Sequence, residues 1–259
     1  MPPKRRVKLA IFDIDGTIFR SSLIIELFND LVRRGIFPRY ASAEVERNYV
    51  AWLNRKGHYN DYLMKLVEVF YRHLAGCSTK AVNASTRAVI AWQKDRVHRF
   101  PRQLIGDLRR QNYYILVLSN SPEPIVRQFA RSMKFDAAIG HELETLHGIY
   151  TGRSIVDGVL KPGYALIDKV SKLEKFIADR NLSADLARSV MIGDSEGDLA
   201  LLSYVGRPIA FNPSLPLARI ARQRGWRVVV ERKDVVYDIK DSELLKVRGA
   251  KPRVGYGKK

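Results

Sequence analysis

The sequence predicts an α/β fold: a parallel sheet sandwiched by helices, with an α-helical cap inserted after the first strand. Three observations carry this reading. Apolar, β-branched runs of strand length recur along the chain. Stretches with apolar residues three and four apart lie between most of them, the alternation expected of parallel strands joined by crossover helices. One connection is far too long for a simple crossover, because the first run ends near Asp13 and the next begins near Tyr113.

In chain order, VKLAIF (7–12) is the first buried strand. The long connection carries helical patterns at about 22–34, 43–54, 59–75 and 80–97 and no strand pattern. An insertion at this point sits over the carboxyl edge of the sheet, where open α/β folds bind ligands. The second strand is YYILVLSN (113–120), followed by the helical pattern PIVRQFARSMK. The stretch ELETLHGIYTGRSIV (142–156), broken by Gly148 and Gly152, reads as a hairpin excursion rather than a core strand. A helix is expected over 164–179, then a strand in SVMIGD (189–194), a helix in DLALLSYV, and strands in PIAFN (208–212) and WRVVVE (226–231). The division is therefore a core of residues 1–20 and 100–240, a cap of 21–99, and a basic tail at 241–259.

A hydrophobic fraction of 46% supplies a real core, while 45 Lys and Arg against 27 Asp and Glu give a net charge of +18. That excess favours anionic partners: phosphorylated metabolites, nucleic acid or an anionic membrane surface. Residues 1–8 and 241–259 each carry +4, which leaves +10 on the body. Cys77 is the single cysteine, which excludes an intrachain disulfide and suits a reducing cytoplasm. No run approaches the ~20 apolar residues of a transmembrane helix, so a cytoplasmic protein without a transmembrane segment is expected.

The residues that carry chemistry close the strands. LAIFDIDGTIFR ends an apolar run in Asp13 and Asp15. Two carboxylates that close repel, and desolvation adds to the cost, so a bound cation would offset both. The second strand ends in Ser119-Asn120-Ser121, and SVMIG runs into Asp194-Ser195-Glu196-Gly197-Asp198. Because the carboxyl ends of neighbouring parallel strands lie side by side, these residues should converge into one acidic pocket.

Taken together, DxDGT, SNSPEPIVRQFA and GDSEGDLALL resemble the haloacid dehalogenase superfamily, in its phosphoserine-phosphatase-like branch. The resemblance covers the whole core and implies a Rossmann-like sheet with a helical cap after the first strand. It implies a Mg²⁺-dependent phosphomonoester hydrolase acting on a small phosphorylated metabolite, with Asp13 as nucleophile forming an aspartyl-phosphate. Asp15 would protonate the leaving oxygen and later take a proton from water. A dehalogenase would have no need of that second acid. Asp13, Asp194 and the backbone carbonyl of Asp15 would hold Mg²⁺, with Asp198 in support. Ser119, with Asn120 and Ser121, would bind the phosphoryl oxygens. Two alternatives stand beside this reading: a phosphotransferase to an acceptor alcohol, and a basic protein that binds RNA or an anionic surface on the same scaffold.

A cation is also needed over the phosphoryl oxygens, and Lys161, Lys169 and Lys172 are the candidates. On a helix over 164–179, Leu166, Val170, Leu173 and Ile177 share one face and Lys169 borders it, while Lys172 lies further out. A lysine beside a buried stripe calls for carboxylate partners, so Lys169 is preferred and Lys161 is the reserve. Arg153 is a further substrate-binding candidate, because similar chains carry Gly-x-Arg near the site. Glu26, Arg47 and Arg55 are weaker candidates from the cap. His58, His73, His98, His141 and His147 have no metal-ligand spacing, and Trp52, Trp92 and Trp226 read as packing residues.

Overall fold

The computed structural model describes residues 5–233 and 235–239; the basic tail expected at 241–259 lies outside the described residues. A short strand, β1 (Arg5–Val7), precedes β2 (Leu9–Phe12). Four helices follow: α1 (Leu23–Arg33), α2 (Tyr40–Leu53), α3 (Tyr59–Leu74) and α4 (Thr79–Gln93). Helix α5 (Arg99–Arg110) leads into β3 (Tyr114–Pro122) and α6 (Glu123–Ser132). Then come β4 (Ala137–Leu146), β5 (Ile149–Val156) and β6 (Val159–Pro162), followed by α7 (Lys169–Asp179) and β7 (Leu182–Ala184). The chain closes with β8 (Val190–Gly193), α8 (Leu199–Tyr204), β9 (Arg207–Phe211), α9 (Leu215–Gln223), β10 (Arg227–Arg232) and β11 (Val235–Ile239).

The main sheet runs β11-β10-β9-β8-β2-β3-β4-β5-β6, and β1 pairs separately with β7. From β10 to β4 the pairings are parallel, and β11, β5 and β6 add antiparallel edges. Chain order turns in opposite directions on either side of β2 and β8. Their carboxyl ends therefore frame the switch-point crevice of a Rossmann-like sheet.

Side-chain alternation decides the layers. Ala10, Phe12, Ile115, Val117 and Ile192 face one side, where α5 and α6 pack with Ile105, Leu108, Ile125 and Phe129. Leu9, Ile11, Leu116, Leu118 and Met191 face the other, against Leu173 of α7, Leu201 and Leu202 of α8 and Leu217 of α9. These strand residues are fully buried, each contributing roughly 1.5–3 kcal/mol where a large side chain leaves water. The first of the two clusters does not stop at the sheet. It continues through Leu23, Leu27, Phe37, Leu66, Phe70 and Ile90, so α1–α4 share a core with one face of the sheet.

The chain leaves the sheet and returns to it through stretches that pair with each other. Arg20 N–H donates to Arg96 O at 3.0 Å, and His98 N–H donates to Ile18 O at 2.8 Å. A second seam ties the helices to the β4–β5 hairpin: Gly76 N–H donates to Tyr150 O at 2.8 Å and Thr79 N–H to Gly148 O at 2.8 Å.

The structure refines the sequence reading at the β4–β5 hairpin and at helix α7. The 142–156 stretch forms the expected hairpin, but its first strand starts earlier, at Ala137, and pairs Ala137, Ala138 and Ile139 with Leu116, Val117 and Leu118 before entering it. Helix α7 begins at Lys169 rather than 164, since the Asp168 carboxylate caps it by accepting from Val170 N–H and Ser171 N–H. Leu166, expected on the buried stripe, is 70% exposed. Lys172, expected further out, is buried and paired with Glu142 at 2.9 Å.

Glu231 on β10 caps α5 from across the chain. Its carboxylate accepts from Arg99 N–H at 3.0 Å and Phe100 N–H at 2.8 Å and faces His98. Burial works to raise its pKa, yet the two N–H groups and His98 outweigh burial and hold it below the ordinary glutamate value. A depressed folded pKa gives stability that is present above the unfolded value and lost as pH falls through the folded one. Glu231→Gln should therefore cost about 1 kcal/mol at pH 7. In urea titrations the gap from wild type should close below about pH 4; a gap that persists there would refute the assignment.

Candidate active site

Asp13 extends β2 by one residue, its N–H donating to Ile192 O at 3.0 Å. This places it beside the end of β8, from which Asp194 emerges. Gly16 then turns at φ +82, and a Cβ there would stand 2.2 Å from Asp194 Oδ2. Only a glycine lets the two strand-end loops interleave so closely. Gly193 plays the same part on the other side, where a Cβ would meet the Asp198 carboxyl at 2.5 Å.

Asp198 sits in a single 3₁₀ turn, Glu196–Asp198, capped by Ser195. Its Oδ2 accepts from Asp194 N–H at 3.2 Å and Ser195 N–H at 3.3 Å, while Oδ1 accepts from Lys169 Nζ at 2.7 Å. The same ammonium donates to Asp13 Oδ1 at 2.8 Å. All three side chains are almost fully buried. Lys169 reaches this point because the Asp168 cap makes it the first residue of α7.

Burial chiefly pushes the Asp13 carboxyl up, to about 8, with Asp198 and Asp15 adding to it against Lys169. Burial likewise holds Asp194 well above the ordinary aspartate value, with Asp13 and Asp198 adding to it. Burial alone would lower the Lys169 ammonium, but Asp13 and Asp198 hold it above its ordinary value.

Oxygen atoms of Asp13, Asp194 and Asp198 lie within 4.8 Å of one another, the one such metal-ligand group among the described residues. One ammonium faces three carboxylates, and every donor is a hard oxygen. That set fits a small divalent cation such as Mg²⁺, whose charge would offset what burial penalises.

The Asp15 side chain turns away from this cluster. Its Oδ2 accepts from Ser119 Oγ at 2.7 Å and Ser121 Oγ at 2.8 Å, and Oδ1 accepts from Leu23 N–H at 2.6 Å at the start of α1. Ser119 Oγ also accepts from Ser121 N–H at 2.9 Å. Asn120 lies beside Gly197, and its buried Oδ1 has no hydrogen-bond partner among the described residues. Asp13, Asp15, Lys169, Ser119, Asn120, Ser121, Asp194 and Asp198 thus occupy one end of the sheet.

Arg153 does not join them, because Glu144 on the neighbouring strand holds its Nε at 2.7 Å. Lys161 lies exposed on β6, and Glu26 is taken up by Gln93 and Arg96. Arg47 and Arg55 are exposed.

Two tyrosines escaped the sequence reading. Tyr59 of α3 is partly exposed, and burial, then the Asp15 carboxylate, push its phenol up. It belongs to a group of rings with Trp52 and Tyr62, the last two stacked at 5.9 Å. Tyr164, also raised by burial, lies near Lys169 and Asp15. It tilts over His141 with ring centroids 4.9 Å apart. His141 is fully buried, with Nδ1 2.6 Å from Tyr71 Oη and Nε2 2.6 Å from Ala165 O. No motif marks these rings, and only their aromatic character in a capping segment could have drawn notice.

Residues 10–203 match the family of haloacid dehalogenase-like hydrolases. Histidinol-phosphatase of Neisseria meningitidis serogroup C (strain 8013) is 27% identical over 230 residues, covering 85% of this chain and 97% of that protein. Phosphoserine phosphatase SerB1 of Mycobacterium tuberculosis (strain ATCC 25618 / H37Rv) is 25% identical over 246 residues, covering 88% and 72%. A solved phosphoserine phosphatase carrying a phospho-aspartyl intermediate analogue shares the fold at a TM-score of 0.55 and 20% identity, covering 89% of this chain and 96% of that one. With that match and the assembled strand-end carboxylates, the chain belongs to the haloacid dehalogenase-like hydrolase family, in its phosphoserine-phosphatase-like branch of phosphoric monoester hydrolases.

Proposed function

We propose that the chain hydrolyses a small phosphomonoester through an aspartyl-phosphate on Asp13. The observation that carries this reading is the buried Asp13–Lys169–Asp198 triad beside Asp194 at the switch point of the sheet. Lys169 binds Asp13 Oδ1, so Oδ2 is the oxygen that attacks phosphorus in line as the ester P–O bond breaks. Asp15, protonated and turned from its Ser119 and Ser121 contacts toward the ester, gives its proton to the leaving alkoxide. It then takes a proton from the water that attacks the acyl phosphate, releasing inorganic phosphate and restoring Asp13.

Lys169 keeps the nucleophile oriented and adds positive charge where the phosphoryl oxygens crowd. Ser119 and Ser121 hold Asp15 between strand end and cap, with Ser119 and the adjoining N–H groups lining the phosphoryl position. Mg²⁺, held by Asp13, Asp194 and the Asp15 carbonyl with Asp198 in support, would supply the charge that lets an anionic ester approach an anionic nucleophile. The ring group of Tyr59, Trp52 and Tyr62, on helices α2 and α3 of the cap, would receive the ester's alcohol portion.

With an aryl phosphate, Asp13→Asn should remove phosphate release to the detection limit, and Asp15→Asn should lower kcat about 10²–10⁴-fold. Asp13→Asn should leave the melting temperature of EDTA-treated protein unchanged or raised, since one of three crowded buried carboxylates is gone. Retained turnover in Asp13→Asn would end the proposal.

EDTA should abolish activity and added Mg²⁺ should restore it. Activity that survives EDTA and extensive dialysis would remove the metal from this scheme. A panel that includes phosphoserine and histidinol phosphate, the compounds named by the relatives, then identifies the alcohol.

A further inference from the structure

The amino edge of the sheet, at the opposite end from the catalytic carboxylates, carries two clefts that the phosphatase reading leaves unused. The larger, about 750 Å³, is lined by Arg5, Arg6, Lys8, Arg109 and Arg188, with Tyr113 and Tyr114. The smaller, about 520 Å³, is lined by Arg207, Arg224 and Arg227, with Trp226. They meet at one hydrogen bond, in which Arg207 Nη1 donates to Tyr113 Oη at 2.9 Å.

Asp238 pairs with Arg227 at 2.6 Å, but the other acids on this edge do not cancel its charge. Asp136 accepts from Ile115 N–H at 2.7 Å, and Asp185 accepts from Arg188 N–H while making only long contacts, of 3.6 and 3.7 Å, to Arg6 and Arg188. Arg6 and Arg188 keep 79% and 72% of their side-chain surface exposed. Among the described residues Arg5, Lys8, Arg109, Arg207 and Arg224 form no ion pair with a carboxylate.

From β10 to β3 the clefts cross four strand spacings, roughly 19 Å. That is too long for one phosphate and suited to a chain of them. Each cleft pairs a cation with an aromatic ring: Lys8 lies over the Tyr113 ring at 4.4 Å and Arg224 over Trp226 at 5.2 Å. Tyr114 and Trp226 are partly exposed, so bases have faces to stack on.

A membrane would instead need protruding apolar anchors. Among the described residues, none of the exposed large hydrophobic side chains lines either cleft.

We propose that this amino-edge double cleft binds single-stranded nucleic acid, through backbone phosphates on the arginines and bases on Tyr114 and Trp226. The test is fluorescence anisotropy of the full chain with a labelled oligouridine RNA of about 12 nucleotides, within the range one single-strand groove covers. Binding should weaken steeply between about 50 and 200 mM salt. The pair Arg188→Glu with Arg224→Glu should lower affinity tenfold or more and reduce the log–log salt slope by roughly 1.4, the loss of two phosphate contacts. Arg6→Ala with Arg109→Ala provides a second, milder pair, and circular dichroism checks that each variant is folded. A 4-thiouridine probe should cross-link to Tyr114 or Trp226.

No anisotropy change at low salt would overturn the proposal. So would wild-type affinity in both folded variants, cross-links confined to 241–259, or capture by phosphatidylserine vesicles without capture of RNA. Binding is read without any phosphate-ester substrate, so the result does not depend on the catalytic reading.

Discussion

The fold is organised around one electrostatic constraint: three aspartates and one lysine share a space from which water is nearly excluded. Lys169 bridges Asp13 and Asp198 at 2.8 and 2.7 Å, and Asp194 stands beside them. Removing the single lysine from such a cluster would leave uncompensated buried charge, commonly at a cost of several kcal/mol. Every member is therefore fixed by backbone rather than by loop chance. Asp13 is held in the sheet ladder, Asp198 in a capped 3₁₀ turn, and Lys169 at the capped start of α7. Gly16 and Gly193 supply the missing Cβ atoms that let these segments meet.

The same constraint reaches the cap through Asp15. Its carboxylate receives Ser119 and Ser121 hydroxyls on one side and the first N–H of α1 on the other. A negative charge at a helix start is favourable, so a residue suited to proton transfer also anchors the helix that begins the cap. Because α1–α4 share a hydrophobic cluster with the sheet and the two crossing stretches pair with each other, rotating the whole cap away would expose buried Leu, Ile and Phe. The tip between α2 and α3 is different. Leu53, Tyr59 and Met64 there are substantially exposed, so movement of this tip costs little buried area and is the cheaper route for a substrate.

Legibility in the sequence followed the physics of each element. The central strands were readable because a strand buried on both faces must be a continuous apolar run, as LAIF and VMIG are. The strand-end carboxylates were readable because nothing but chemistry justifies aspartates there. Lys169 was reached through a helical face that is only partly there: Val170, Leu173 and Ile177 pack against the core, but Asp168 starts α7 five residues after the expected position and leaves Leu166 in solvent. What selects Lys169 is its reach from the first turn to two carboxylates, a long-range fact that periodicity does not contain. The early part of β4 was missed because AAIGH is short and holds a histidine. That histidine is fully buried by hydrogen bonds to Tyr71 and Ala165. Arg153 drew notice by its motif, yet Glu144, nine residues earlier, claims it.

The charge excess calls for its own cause. The strand-end cluster is acidic, and a divalent cation together with Lys169 would answer its local needs without any further arginine. The amino-edge cations stand a full strand away: the four residues of β2 span roughly 13 Å, beyond the ~8 Å over which exposed charges act in physiological salt. They cannot steer an ester into the crevice at the other edge to any great degree. Nor do they hold the fold together, because arginines this exposed gain little from their surface pairs. Crowding Arg5, Arg6, Lys8, Arg109, Arg188, Arg207 and Arg224 onto one edge against only Asp136 and Asp185 costs self-repulsion. Neither the catalytic site nor the core accounts for that cost, whereas an anionic strand laid across the two clefts would.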